Sequence, residues 1–283
     1  MTRVTVIAPN RYLIFNHVSK CNMILSRNIK IGIVAIFIVG LATPVALIAI
    51  LNSPPQNTIN LTLLDNAGVM IEAGDVRIYI DPYLLPDNYT EKPADIILVT
   101  HPHGDHYHYA SISDIATEDT IFIFPENMST EIARHDAIGV NPGDSIQVGD
   151  INITAFYMYT TAPEGYEPSH PPEANWTSYI IDINGFTIFH AGDSKCIPEY
   201  EQLTGKINVA LLPLGPGCQT MYRSEVVDAI EVIEPDYFIP IHYTEDEFDT
   251  FCSLYDTQIE NLGCTMLAMT YFSSHIFAPS DES

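Results

Sequence analysis

Basic side chains are scarce in this chain of 283 residues, where Lys and Arg together number 11 against 36 Asp and Glu. Five of the 11 lie within the first 30 residues, and only six follow residue 51, together with all 36 acidic residues. The later part therefore has a net charge of −30, which repels nucleic acids and anionic lipid surfaces. The excess of acidic residues has two possible explanations: it excludes nucleic acids and anionic lipids as partners, or it keeps the protein soluble at high salt. The sequence leaves both open.

Cysteine is also sparse, and its spacing matches no zinc ribbon. Cys21 stands alone in the first 51 residues, and four more are spread over the rest of the chain: Cys196, Cys218, Cys252 and Cys264. Two disulfides and four free thiols both agree with this number. Cysteine therefore does not decide the redox compartment.

Residues 31–51 form a long apolar run without a charged side chain. At about 1.5 Å per residue it spans about 30 Å, the thickness of a bilayer core. Residues 1–30 are basic and contain no acidic side chain, so the positive-inside rule predicts a cytoplasmic N-terminus and an extracytoplasmic domain. A cleaved signal peptide is the alternative, although its leader and apolar core are usually shorter. We predict a single-pass protein with an uncleaved transmembrane anchor at 31–51.

Asn-x-Ser/Thr sequons support an extracytoplasmic domain. Chance would give about two in a chain of this composition. Five are present, beginning at Asn60, Asn88, Asn127, Asn152 and Asn175.

After a proline-containing linker at 52–60, the hydrophobic pattern predicts two successive blocks of similar design. Each block begins with short β-rich runs broken by hairpin turns and continues with strands that alternate with helices. The first starts at Leu61 and the second at Ser145. Two such halves, packed sheet on sheet with helices outside, form an α/β domain, which we place at 61–278 ahead of a polar tail at 279–283.

The densest group of metal-ligating side chains follows the short apolar strand predicted at 96–100. His101, His103, Asp105 and His106 lie within six positions. Imidazole and carboxylate together suit zinc, iron or manganese, and a loop at a strand end directs several side chains inward at once. The sequence therefore predicts a metal site. A solvated histidine-rich turn is the alternative, but it does not explain the buried strand before it.

Three later residues occupy comparable positions. Asp193 and His242 each follow a hydrophobic strand, and His170 lies in a proline-rich loop before both of them. Alone, Asp193 could cap a helix, and a single histidine at a strand end is usually structural. Their repeated placement at the ends of strands favours a role as further ligands.

The series His101-x-His103-x-Asp105-His106, His170, Asp193 and His242 resembles the metal-ligand series of the metallo-β-lactamase fold superfamily. The segments Ile80-Asp81-Pro82 and 212–221 resemble a branch of metal-dependent hydrolases related to the ascorbate-6-phosphate lactonases. Phospholipase D-type enzymes that act on N-acyl phosphatidylethanolamine are more distant relatives. The resemblance implies a four-layer αββα sandwich, here preceded by one transmembrane helix.

The same resemblance implies two divalent metal ions, most simply zinc, with manganese or iron as alternatives. One ion would be bound by His101, His103 and His170, the other by Asp105, His106 and His242, with Asp193 bridging them and Asp81 supporting the metal loop. Two segments depart from the family pattern: Asn66-Ala-Gly68 replaces the usual Gly-His-Ala, and the loop at 215–221 differs. Both lie where substrate would be contacted.

The function implied is a membrane-anchored hydrolase that uses a dinuclear metal-bound hydroxide, oriented by Asp105, to cleave an ester, lactone or phosphoester bond. Its substrate would be a small molecule or a lipid. Lys195 and Arg223 are candidates to contact an anionic group on it, and four aromatic residues are candidates for an apolar wall: Tyr107, Tyr166, Trp176 and Tyr179. The alternatives are a metal-binding surface domain without catalysis and an iron-containing redox enzyme of the same fold.

Overall fold

The computed structural model describes residues 3–7, 12–16, 58–215 and 217–278. The predicted anchor at 31–51 and the tail at 279–283 lie outside these ranges. Among the helices within them, none is long and apolar enough to cross a bilayer.

Sixteen strands and four α-helices make up the described part of the chain. In chain order the strands are β1 (Arg3–Ile7), β2 (Tyr12–Asn16), β3 (Ile59–Leu63), β4 (Val69–Ala73), β5 (Val76–Ile80), β6 (Ile96–Leu98), β7 (Ile121–Pro125), β8 (Ile138–Val140), β9 (Ser145–Val148), β10 (Ile151–Tyr157), β11 (Thr177–Ile183), β12 (Phe186–His190), β13 (Val209–Pro213), β14 (Tyr237–Ile241), β15 (Thr265–Met266) and β16 (Ser274–Phe277). The helices are α1 (Tyr109–Ile115), α2 (Ser129–His135), α3 (Arg223–Ile233) and α4 (Glu245–Asn261).

The strands form two mixed sheets of the same design. One has the order β16-β3-β4-β5-β6-β7-β8, and the other has the order β1-β2-β9-β10-β11-β12-β13-β14-β15. In each, an antiparallel meander (β3 to β5, β9 to β12) leads into parallel strands (β5 to β8, β12 to β15). The two predicted blocks are therefore two halves of one sandwich. β3 begins at Ile59, so the last two residues of the predicted linker belong to the sheet.

Alternating side chains on the central strands separate the hydrophobic core into layers. In β6, Ile96 and Leu98 lie in the core between the sheets, whereas Ile97 packs on the side of α1. In β13, Leu211 lies in the core between the sheets and Leu212 packs on the side of α3 and α4. Because both faces of the central parallel strands are covered, β6, β7, β13 and β14 are apolar at nearly every position. The domain is the four-layer αββα sandwich that the sequence predicted.

The core between the sheets contributes much of the stability, and one truncation measures it. Leu211→Ala removes a fully buried side chain from β13 and is expected to lower the free energy of unfolding by about 2–5 kcal/mol. The matched control is Leu254→Ala on α4, where the side chain is 61% exposed and the expected loss is within about 0.5 kcal/mol. Urea denaturation compares the two. Equal losses would contradict this assignment of the core.

Candidate metal centre

The seven predicted ligands converge on one cluster where strands of both sheets end. Their ligand atoms form three overlapping groups, and within each group the atoms lie within 4.8 Å of one another. The groups are His101, His103 and His170; His101, His106 and Asp193; and Asp105, His106 and His242. Because neighbouring groups share His101 or His106, they form one continuous site rather than three.

Asp193 lies at the middle of the cluster. Its Oδ1 is 3.2 Å from Nε2 of His106, and its Oδ2 is 3.5 Å from Nε2 of His170 and 3.3 Å from Nε2 of His242. The turn after β12 places it there: Gly192 has a φ of 57°, and a Cβ at that position would lie 2.6 Å from the Met158 sulfur. Glycine is therefore needed directly before this aspartate. The two oxygens of this carboxylate therefore reach both outer groups of the cluster. The first outer group is His101, His103 and His170, and the second is Asp105, His106 and His242.

Asp81 sets the orientation of the metal loop from behind. Its Oδ1 accepts a hydrogen bond of 2.8 Å from the Thr100 backbone N–H, and its Oδ2 accepts one of 2.6 Å from the Thr100 hydroxyl. Nδ1 of His106 is 2.8 Å from the same Oδ2, and Nδ1 of His101 is 2.9 Å from the Thr100 hydroxyl oxygen. Since these acceptors require a proton on Nδ1, Nε2 is the atom that each imidazole directs at the cluster.

Burial keeps one part of the cluster neutral. It lowers the pKa of His101 well below its usual value, and it lowers the pKa of His170 to about 4. The pKa of His103 is also lowered by burial. These three imidazoles are therefore uncharged at neutral pH, and the uncharged imidazole is the form that binds a metal.

The other part of the cluster is governed by its carboxylates. Burial alone would lower the pKa of His106, but the carboxylates of Asp193 and Asp81 outweigh it and raise that pKa well above the usual value. The same attraction outweighs the effect of burial on Asp193 and holds the pKa of this carboxyl well below its usual range. Asp193 and His106 thus favour a positive charge between them, and a cation can replace the proton.

Several buried polar atoms of the cluster lack a hydrogen-bond partner among the described residues. They are Nε2 of His106, Nε2 of His242 and both carboxylate oxygens of Asp193. In addition, Nε2 of His101 lies 3.1 Å from Nδ1 of His103 and 3.2 Å from Nε2 of His170, so ring nitrogens of three histidines converge on one point. Each unsatisfied buried group costs about 1–3 kcal/mol. Divalent cations would satisfy all of these atoms, and a set of nitrogen and carboxylate oxygen donors suits zinc, manganese or iron.

Trp176 covers the first of the three groups. Its ring centroid is 5.3 Å from those of His101 and His103 and 5.5 Å from that of His170. Of the other aromatic candidates, Tyr179 is buried in the core between the sheets, where its hydroxyl donates to the carbonyl of Val99. Tyr166 is 73% exposed, and the Tyr107 hydroxyl pairs with Nε2 of His135. The apolar wall beside the cluster is thus formed by Trp176.

Trp176 is the single tryptophan of the chain, so its fluorescence should report metal binding directly. Adding Co²⁺ to chelator-treated protein is expected to quench this fluorescence until the site is saturated, because three of the predicted ligands contact the indole ring. His103→Ala should weaken the quenching, whereas His275→Ala, which lies outside the cluster, should leave it unchanged. Binding of Co²⁺ without any quenching would place the metal elsewhere.

Asn66 holds the second outer group together, a role that the sequence did not reveal. Its side-chain Nδ2 is 3.2 Å from Oδ2 of Asp105 and also donates to the Asp105 carbonyl at 3.4 Å. Its own carbonyl accepts a hydrogen bond of 3.0 Å from the His242 backbone N–H. A residue expected near the substrate thus positions two of the predicted ligands. The signal was the departure of the segment Asn66-Ala-Gly68 from the family pattern Gly-His-Ala, but the contact itself joins residues 39 positions apart.

The two basic residues near the cluster are paired with carboxylates. Nζ of Lys195 is 2.8 Å from Oε2 of Glu225. Arg223 reaches both carboxylate oxygens of Glu247 at 2.8 Å, through Nε and Nη2. Their contact with a substrate stays a prediction. Four further histidines lie outside the three groups: His108, His135, His190 and His275. Of these, His190 donates to the Ala67 carbonyl at 2.7 Å.

Comparison with known proteins supports this geometry. Residues 60–242 match the family model described as beta-lactamase superfamily domain. A UPF0173 metal-dependent hydrolase of Pyrococcus furiosus is 32% identical over 201 residues, which cover 65% of this chain and 84% of that protein. Among solved structures, a protein of Parabacteroides distasonis assigned as a metal-dependent hydrolase has a TM-score of 0.66 at 27% identity, covering 74% of this chain and 91% of that one. Igni18, a metallo hydrolase from Ignicoccus hospitalis, shares the fold, with a TM-score of 0.65 at 20% identity over 79% of this chain and 100% of its own.

Proposed function

Since the chain belongs to the beta-lactamase superfamily and is related to metal-dependent hydrolases, we propose that it is a hydrolase with a dinuclear metal centre that cleaves an ester, lactone or phosphoester bond. The observation that carries this proposal is the set of buried polar atoms without a hydrogen-bond partner on His106, Asp193 and His242. Ligand atoms of this kind, left without a partner in the interior, are costly unless they bind a cation.

In this proposal His101, His103 and His170 hold one ion, Asp105, His106 and His242 hold the other, and Asp193 lies between them. When bound, a pair of divalent cations supplies Lewis acidity that makes water a stronger acid and polarises the bond to be cleaved. Zinc suits the donor set most simply. The branch of the superfamily related to the ascorbate-6-phosphate lactonases stays a prediction.

Asp105 is the residue best placed to orient the attacking water. The His242 imidazole, with Nε2 at 3.5 Å from Oδ2 of Asp105, lowers the pKa of Asp105 to about 2, so the carboxylate is ionised at neutral pH and accepts hydrogen bonds. Its side chain is 38% exposed, whereas those of Asp193, His101 and His106 are almost completely buried. Water and substrate therefore reach the centre on the side of Asp105.

The test is metal analysis of the purified protein combined with an assay on three neutral-pH probes: p-nitrophenyl butyrate, a γ-lactone and bis(p-nitrophenyl) phosphate. Turnover of at least one probe, its loss with a chelator and its return with zinc are expected. Bound metal without turnover of any probe would favour a binding domain. Iron as the native metal, with oxygen consumption, would favour a redox enzyme.

We also propose, from the sequence, that residues 31–51 anchor the domain on the extracytoplasmic side of a membrane. The full chain is then expected to stay with membranes after alkaline carbonate extraction, and a chain lacking residues 1–51 is expected in the soluble fraction. The pairing of β2 with β9 instead requires residues 12–16 on the same side as the domain. Protease protection of the N-terminus distinguishes the two arrangements, and recovery of the full chain without membranes would contradict anchoring.

A further inference from the structure

A small pocket of about 210 Å³ adjoins the metal centre on the side opposite Trp176. Its lining includes Asn66, Leu214, Gly215, His242, Thr244 and Glu247. Asn66 and His242 belong both to this lining and to the group around Asp105, so a molecule reacting at the centre extends naturally into the pocket. Pockets for drug-sized ligands are about 300–1,000 Å³, so this one suits a small group of a larger substrate.

The pocket wall presents no uncompensated positive side chain among the described residues. Glu247 is its acidic member, and both oxygens of that carboxylate are bound by Arg223 at 2.8 Å. The Glu247 carboxylate balances the charge of this guanidinium, and Nη2 of Arg223 donates its hydrogen bond to that carboxylate rather than into the pocket. An anionic group in the pocket would approach the carboxylate of Glu247 and would not form an ion pair with Arg223.

The basic residues between 58 and 278 are also committed to other partners. Arg77 pairs with Glu72, Lys92 lies over the ring of Tyr89, Arg134 bonds the Tyr107 hydroxyl, Lys195 pairs with Glu225, and Lys206 bonds the Gln202 carbonyl. The surrounding field is acidic, because the chain after residue 51 has a net charge of −30. Both the local contacts and the overall acidic field therefore oppose binding of a substrate that has a negative charge on its non-reacting part.

We infer that this pocket receives an uncharged part of the substrate, so that the enzyme prefers esters or lactones whose non-reacting portion is neutral. This inference rests on the proposed hydrolase function and adds the substrate class to it. The negative charge that develops during hydrolysis arises at the centre itself, where cations would balance it, and is separate from the charge of the group in the pocket.

The test uses the full chain loaded with zinc and two esters that differ in the charge at the far end of the acyl group, p-nitrophenyl butyrate and p-nitrophenyl hemisuccinate. The neutral ester is expected to have a kcat/KM about 10-fold higher or more, mainly through a lower KM, because like charges in contact are strongly disfavoured. Glu247→Gln, which frees Arg223, should reduce this preference to about 3-fold or less. The matched control is Glu72→Gln, which breaks an Arg–Glu pair of the same chemistry in the β4–β5 hairpin and should leave the preference unchanged.

Binding of the amide analogues separates this inference from the hydrolase proposal, because it requires no turnover. Saturation-transfer NMR is expected to detect butyramide and not succinamate on the wild-type protein, and to detect both on the Glu247→Gln variant. Hydrolysis that favours the hemisuccinate, as expected if Lys195 and Arg223 receive an anionic group, would overturn the inference and leave the hydrolase in place. Absence of turnover with selective butyramide binding would overturn the hydrolase alone. Failure of both amides to bind would overturn the pocket.

Discussion

Replacing Asp193 with asparagine is expected to lower kcat/KM by about 1000-fold or more and to reduce the bound metal to at most about one ion per chain. The oxygens of Asp193, a predicted ligand, approach His170 in one outer group and His106 and His242 in the other. Asparagine keeps the shape but removes the charge and leaves one oxygen donor. If this change removes about 4 kcal/mol of the stabilisation of charge in the transition state, the rate falls by about 1000-fold.

The measurement combines metal content by mass spectrometry with kcat/KM on whichever probe the wild-type protein hydrolyses. Asp114→Asn is the matched control, because this exposed aspartate lies on α1 away from the cluster and loses the same charge. Circular dichroism and an unfolding curve verify that both variants fold. A variant at Asp193 that kept both ions and full activity would show that the carboxylate does not bridge them.

Much of the sandwich and of the metal cluster was accessible from the sequence, because the signals are local. His101 to His106 follow one short apolar strand, and Asp193 and His242 follow others, so each ligand is marked by the end of an element. The strand predicted at 96–100 begins at the residue where β6 begins, and β6 ends two residues earlier than predicted. Strands buried on both faces form unbroken apolar runs, which are the feature of such a sequence that is easiest to recognise.

The parts that the sequence did not reveal depend on contacts between distant residues. Three strands are only two to four residues long: β8, β15 and β16. Of these, β16 forms the edge of its sheet by pairing with β3, which lies more than 200 residues earlier in the chain. Tyr179 was a candidate for the wall of the site, but its position on β11 points it into the core between the sheets. The role of Thr100 between Asp81 and His101 likewise follows from the folded loop rather than from spacing.

Replacing Asp81 with asparagine is expected to weaken zinc binding by about 10- to 100-fold, the range typical of residues that orient metal ligands. The carboxylate oxygen that faces Nδ1 of His106 would become either a carbonyl oxygen or an NH₂ group. The single carbonyl oxygen cannot accept all three hydrogen bonds that Asp81 now receives from Thr100 and His106. If the NH₂ group faces His106, the proton of this imidazole moves to Nε2, the atom required for the metal.

This prediction differs from that for Asp193 in how it is rescued. Asp81→Asn leaves all seven ligands in place, so excess zinc should restore most of the activity, whereas it should not restore Asp193→Asn. The matched control is Asp95→Asn, since Asp95 also accepts a backbone hydrogen bond, from Arg77 at 2.7 Å, at the start of β6 and away from the cluster. Zinc affinity is measured by competition with a chromophoric chelator. Wild-type affinity in Asp81→Asn would mean that Thr100 and the fold of the loop suffice to orient His101 and His106.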